Sequence, residues 1–172
     1  MERDTPIYSF AAFSNTGKTT FLEKLIPLLK GRGLRVAVIK DDAHHIQMDK
    51  EGKDTWRFAR AGADVVAVTS TEKCAVIEQR SLTVEQMLRR IHDVDLVLTE
   101  GYKYGPFPKI GIYRSTSGNP MTGDPASFLA IVSDVPLETD TPVFPLDDPA
   151  PLAAFLAEDM KKRRGPHADD LE

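Results

Sequence analysis

Short runs of apolar residues alternate along the chain with segments whose apolar positions recur every three or four residues. Residues 7–13 form the first run and read as a β-strand. It passes directly into the polar Ser14-Asn15-Thr16-Gly17-Lys18-Thr19-Thr20. Phe21, Leu22, Leu25, Ile26, Leu28 and Leu29 then fall on one face of a helix. Pro27 lies inside that pattern; it lacks a backbone donor and predicts a kink. Gly31 and Gly33 predict the helix end. Residues 34–39 predict a second strand, followed by a polar loop over 40–53. Asp54 is a candidate N-cap for a short helix over 55–60. Residues 64–69 and 74–78 read as short strands, and Thr83 as the N-cap of a helix over 84–92. Residues 94–99 form an apolar strand that ends at Glu100-Gly101. Further strands are expected at 109–113, 128–133 and 142–144, with a last helix over 150–164.

Strands that alternate with helices, several of them apolar throughout, predict an α/β fold of three layers: a mostly parallel sheet covered by helices on both faces. The 172 residues are the length of one domain, expected over 1–164, with 165–172 a short polar tail. A formal net charge of -4 excludes the basic footprint of a nucleic-acid-binding protein. No apolar run approaches the ~18 residues of a membrane span. Cys74 is the single cysteine, so an intrachain disulfide is excluded and a reducing compartment is expected. The opening residues 1–6 lack the basic start of a secretory signal, and a cytoplasmic location is the expectation.

Gly17-Lys18-Thr19 carries the most chemistry, because it lies where a strand runs through a loop into a helix. Consecutive backbone N–H groups of such a loop point into one concavity, and the helix N-terminus adds positive potential. Asn15, Thr16, Gly17, Lys18, Thr19 and Thr20 are therefore candidate nucleotide-phosphate ligands. Lys18 would meet the terminal phosphates and Thr19 would offer its hydroxyl to magnesium. The position of the first P-loop glycine holds Ala12. A metal in such a site also needs a carboxylate from another strand end. Glu100 and Asp42 both follow predicted strands and are the candidates, with Thr19, for Mg2+. His44 and His45, near Asp41, Asp42 and Asp49, show no zinc-ligand spacing and read as part of a polar loop. The guanine signature Asn-Lys-x-Asp is absent, and Asp134, after a predicted strand, is either the acceptor for guanine N1 and N2 or a turn residue before Pro136.

Four segments resemble the MobB family of molybdopterin-guanine dinucleotide biosynthesis adapter proteins. They are residues 13–27, containing the Lys18-Thr19-Thr20 loop; 36–44, with Lys40-Asp41-Asp42-Ala43-His44; 49–64, through Lys53-Asp54-Thr55-Trp56-Arg57; and 97–110, around Glu100-Gly101-Tyr102-Lys103. Two positions depart from the family pattern: Asp41, where histidine is usual, and Ala12, where glycine is usual. The resemblance implies a P-loop NTPase-type fold, GTP with Mg2+ as ligands, and a homodimer. It implies a supporting role in forming molybdopterin guanine dinucleotide. Guanylyl transfer would belong to a partner, the molybdenum cofactor guanylyltransferase, and molybdopterin is a candidate ligand.

A small-molecule or nucleotide kinase is the alternative reading of the same loop. Kinases of this kind close an arginine-rich lid over the phosphates, whereas Arg57, Arg60, Arg80, Arg89, Arg90 and Arg114 are scattered. Residues 40–53 contain Gln47 but no arginine to complete a transition-state clamp, so intrinsic GTP hydrolysis is expected to be slow at most.

Overall fold

The computed structural model describes residues 5–41 and 48–164. In chain order the elements are β1 (Ile7–Ala11), α1 (Lys18–Gly31), β2 (Val36–Lys40), α2 (Asp54–Arg60), β3 (Val65–Thr69) and β4 (Cys74–Glu78). They continue with α3 (Val84–Leu88), β5 (Leu96–Glu100), β6 (Lys109–Tyr113), β7 (Ala130–Ser133), β8 (Val143–Pro145) and α4 (Ala150–Arg164). The expected tail over 165–172 lies outside the described residues. Contacts divide the chain into two compact units, one of Met1–Asp41 with Ile91–Glu172 and the other of Asp42–Arg90.

The first unit is built on a six-stranded sheet in the order β2-β5-β1-β6-β7-β8. Every neighbouring pair in it is parallel. β1 is thus flanked by β5 and β6, and the C-terminal ends of β1, β5, β6 and β7 share one edge, where ligands of open parallel sheets bind. Alternate strand residues point to one core. Tyr8 and Phe10 of β1, Leu98 of β5 and Ile110 of β6 pack there with Phe21 and Leu25 of α1. Leu152, Ala153, Leu156 and Met160 of α4 complete it, at the spacing of one helix face. On the opposite face Ala11 and Ile131 pack with Phe128, beside Met121 and Leu137. Ser9 and Thr99 are also buried, and their hydroxyls satisfy each other across β1 and β5 at 2.7 Å. At the far end of β1, the Tyr8 hydroxyl donates to Asp159 Oδ2 of α4 at 2.8 Å. Burial and that contact push the phenol above its ordinary pKa, so it stays protonated and keeps donating.

Element boundaries shift by a few residues from the sequence reading. α1 runs through the exposed Pro27 to Gly31 without ending. α2 begins at Asp54, with Lys53 rather than Asp54 at its N-cap position. Thr83 does cap α3, in a reciprocal pair with Gln86. That helix stops at Leu88 instead of residue 92: Arg90 N donates to Met87 O at 2.9 Å, the tighter closure of a helix end. Strands β3 and β4 pair antiparallel with each other in a separate two-stranded sheet of the second unit. There Glu78 of β4 takes ion pairs from Arg80 and Arg90.

The packing of α4 predicts a contrast between two of its residues. Leu156→Ala, at a fully buried position, should lower unfolding stability by about 2–5 kcal/mol. Lys162→Ala, on the exposed side, should change it by less than about 0.5 kcal/mol. Urea unfolding followed by circular dichroism checks this; equal midpoints for the two variants would contradict the burial of α4 against the sheet.

Candidate functional site: a phosphate loop between two strands

The loop that leaves β1 is shaped by its own side chains. The Thr16 hydroxyl donates to the Phe13 carbonyl at 2.9 Å, so it holds the loop together rather than facing solvent. Asn15 is exposed and adopts a positive φ of 64°, and Gly17 follows at 89°. Gly17 is also the N-cap of α1, which starts at Lys18 with no side-chain cap and no acidic residue in its first turn. The first turn of α1 therefore contributes neither a capping side chain nor a carboxylate of its own to its N–H groups and the positive end of the helix.

Glu100 comes to this helix start from β5. The register pairs Phe10 of β1 with Glu100, which sets the carboxylate beside the loop. Glu100 Oε1 accepts from the Thr19 hydroxyl at 2.9 Å and lies 3.9 Å from Lys18 Nζ. The backbone around Glu100 is tightly closed. Asp41 N, just past β2, donates to Glu100 O at 2.7 Å. Gly101 has φ 100°, and a Cβ there would sit 2.2 Å from the Asp41 carbonyl oxygen, so any other residue must displace the strand ends.

A cavity of about 780 Å³ opens beside the loop, lined by Gly17, Thr20, Phe21 and Lys24 on one side and by Asp134 to Leu137 on another. Lys18, Thr19 and Glu100 are not part of its lining. Asp134 thus lines the same cavity as Gly17 and Thr20. Its carboxylate is already engaged: Oδ1 accepts from Ser115 N at 2.7 Å and Oδ2 from the Ser115 hydroxyl at 2.9 Å. The Ser115 backbone contact holds the Asp134 carboxyl below the usual carboxylate range.

Arg114 belongs to this site although no motif marks it. It follows β6, the other neighbour of β1. Its Nε donates to the Thr16 carbonyl at 3.0 Å, and it lines the cavity together with Gly17. Only the strand order places it there; along the sequence it is 98 residues from Thr16. Asp42, His44 and His45 lie outside the described residues. Among the described residues no group of three or more His, Cys, Asp or Glu converges as a metal site, and no helix is long and apolar enough to cross a membrane.

Comparison with known proteins agrees with this fold and loop. The family model described as Molybdopterin guanine dinucleotide synthesis protein B matches residues 7–134. A molybdopterin-guanine dinucleotide biosynthesis adapter protein of Haemophilus influenzae is 35% identical over 160 residues, 91% of this chain and 90% of that protein. The adapter protein of the same description from Escherichia coli is 36% identical over 169 residues, 93% and 96% of the two chains. A crystal structure of molybdopterin-guanine biosynthesis protein B superposes with a TM-score of 0.69 at 28% identity, covering 88% of this chain and 98% of that one. Bacillus subtilis MobB superposes with a TM-score of 0.68 at 26% identity, covering 90% and 97%. The family model spans most of the sheet and the whole phosphate loop, and the relatives extend the match to nine-tenths of the chain: this chain belongs to the MobB family.

Proposed function

We propose that this chain is a GTP-binding accessory protein in the formation of molybdopterin guanine dinucleotide, acting as an adapter rather than as the transferase. The observation that carries the reading is the cluster of Lys18, Thr19 and Glu100 at the uncapped start of α1. The loop amides and Lys18 would bind the phosphates. Magnesium fits the remaining donors: a Thr hydroxyl and one carboxylate 2.9 Å apart, the sparse protein ligand set this ion takes while keeping several waters. When bound, it neutralises charge on the phosphate oxygens. Asp42 is a second candidate carboxylate.

The cavity beyond Gly17 would take the nucleoside. Each oxygen of Asp134 has a lone pair beyond the one used by Ser115, so the carboxylate can still accept from guanine N1 and N2. The reading includes a homodimer in the cytoplasm and, as partner, the molybdenum cofactor guanylyltransferase that performs guanylyl transfer, with molybdopterin as a further ligand. Hydrolysis by the isolated chain should be slow, because Lys18, Thr19 and Glu100 can hold a nucleotide without positioning an attacking water.

Three outcomes test this reading. Lys18→Ala should weaken GTP binding, measured by calorimetry with Mg2+, by about a hundredfold, the scale of a charge-assisted contact in a sheltered site. Unchanged affinity would reject the phosphate-loop assignment. Glu100→Gln should remove the gain in affinity that Mg2+ gives and leave metal-free binding nearly intact; a preserved Mg2+ effect would make Glu100 a bystander. Asp134 has a folded pKa below its ordinary value, so its charged form persists as pH falls and is lost only below the usual carboxylate range. The ratio of GTP to ATP affinity should therefore stay constant from pH 7 down to about 5. Asp134→Asn should lower that ratio at pH 7, and a ratio indifferent to Asn would remove Asp134 from base recognition.

A further inference from the structure

We propose that Arg114 is the second phosphate-binding cation of this site, acting on the phosphate next to the nucleoside while Lys18 acts on the terminal ones. This rests on the nucleotide-binding reading above and goes beyond it, since neither the loop motif nor the carboxylate pattern points to Arg114.

The guanidinium is fixed from three directions. β6 carries Arg114 to the loop through its parallel pairing with β1, Ala11 opposite Gly111. The next residue, Ser115, is clamped to Asp134 by two hydrogen bonds. The side chain itself is tied by Nε to the Thr16 carbonyl at 3.0 Å. Nη1 and Nη2 have no hydrogen-bond partner among the described residues, and the group is only partly exposed. A guanidinium held this way presents two donors in a fixed plane, the geometry that matches phosphate oxygens.

Its neighbour in the loop is built around it. A Cβ at Gly17 would lie 2.8 Å from Arg114 Nη2, 3.5 Å from Nε and 3.6 Å from Cζ. Gly17 thus serves two demands at once: a φ of 89° and a bare Cα edge for the guanidinium. Arg114 and Gly17 both line the cavity, whereas Lys18, Thr19 and Glu100 do not. The guanidinium therefore stands where the cavity meets the loop, and the phosphate that passes this point is the one attached to the ribose. Asp134, whose carboxylate is within electrostatic range of Arg114, lines the same cavity, as does Asp147.

The test compares GTP, GDP, GMP and guanosine on the full chain by calorimetry at low salt. Arg114→Ala should weaken GTP, GDP and GMP by a similar factor, about tenfold to a hundredfold, and leave guanosine unaffected. Lys18→Ala should instead penalise GTP far more than GMP. Arg114→Lys keeps the charge but loses the planar fork, and should recover part of the lost affinity. The deficit of Arg114→Ala should also shrink as salt is raised, as a charge contact requires and a loop distortion does not. Equal GMP affinity in Arg114→Ala and the unaltered chain would overturn this assignment alone. So would equal losses in the Ala and Lys variants with no salt dependence, which mark a purely structural tether to Thr16. Failure of the unaltered chain to bind any of the nucleotides would overturn the nucleotide-binding reading itself, and this assignment with it.

Discussion

Two strands flank β1, and each delivers one charged side chain to the loop that leaves it. β5 brings Glu100 to Thr19 and Lys18; β6 brings Arg114 to Thr16 and Gly17. This arrangement depends on β1 being the inner strand of a parallel sheet, which in turn depends on burial of both faces of its neighbours. Tyr8 and Phe10 hold one face against α1 and α4, and the Ser9–Thr99 hydroxyl pair satisfies the polar groups buried on the other. A change in the β1–β5 register by one residue would reverse which face each side chain meets and would take Glu100 away from Thr19.

The loop itself is electrostatically one-sided although the chain as a whole carries a formal charge of -4. Lys18, Arg114 and the uncapped start of α1 supply positive potential; among the described residues Glu100 lies against Lys18, and Asp134 is within electrostatic range of Arg114. Such a local field draws a polyphosphate whatever the net charge. Glu100 is held at the edge of this field by backbone closure at Gly101 and Asp41, a position from which it accepts from Thr19.

The sequence made the loop legible because its chemistry is contiguous: residues 15–20 are adjacent in the chain, and a strand and a helix on either side fix their setting. Glu100 was legible for a related reason, since it ends an apolar strand and strand ends share an edge in a parallel sheet. Arg114 was not. It also follows a strand, but it was one of six arginines scattered over predicted helices and loops with no motif to single it out, and only the order β5-β1-β6 selects it. The second sheet was hidden in the same way. The short apolar runs at 64–69 and 74–78 identify strands but not partners, and these two close on each other across a four-residue turn in which Ser70 N donates to Lys73 O. Thr16 shows the converse, a polar loop residue whose hydroxyl is turned inward to Phe13.

The most direct test is a crystal structure of the chain with Mg2+ and a non-hydrolysable GTP analogue. The account predicts phosphates on the amides of Gly17 to Thr20, the metal on the Thr19 hydroxyl with Glu100 at or beside its coordination shell, and guanine in the cavity that Phe21 and Asp134 line. Phosphates bound away from this loop, or a metal held without Thr19 and Glu100, would contradict it.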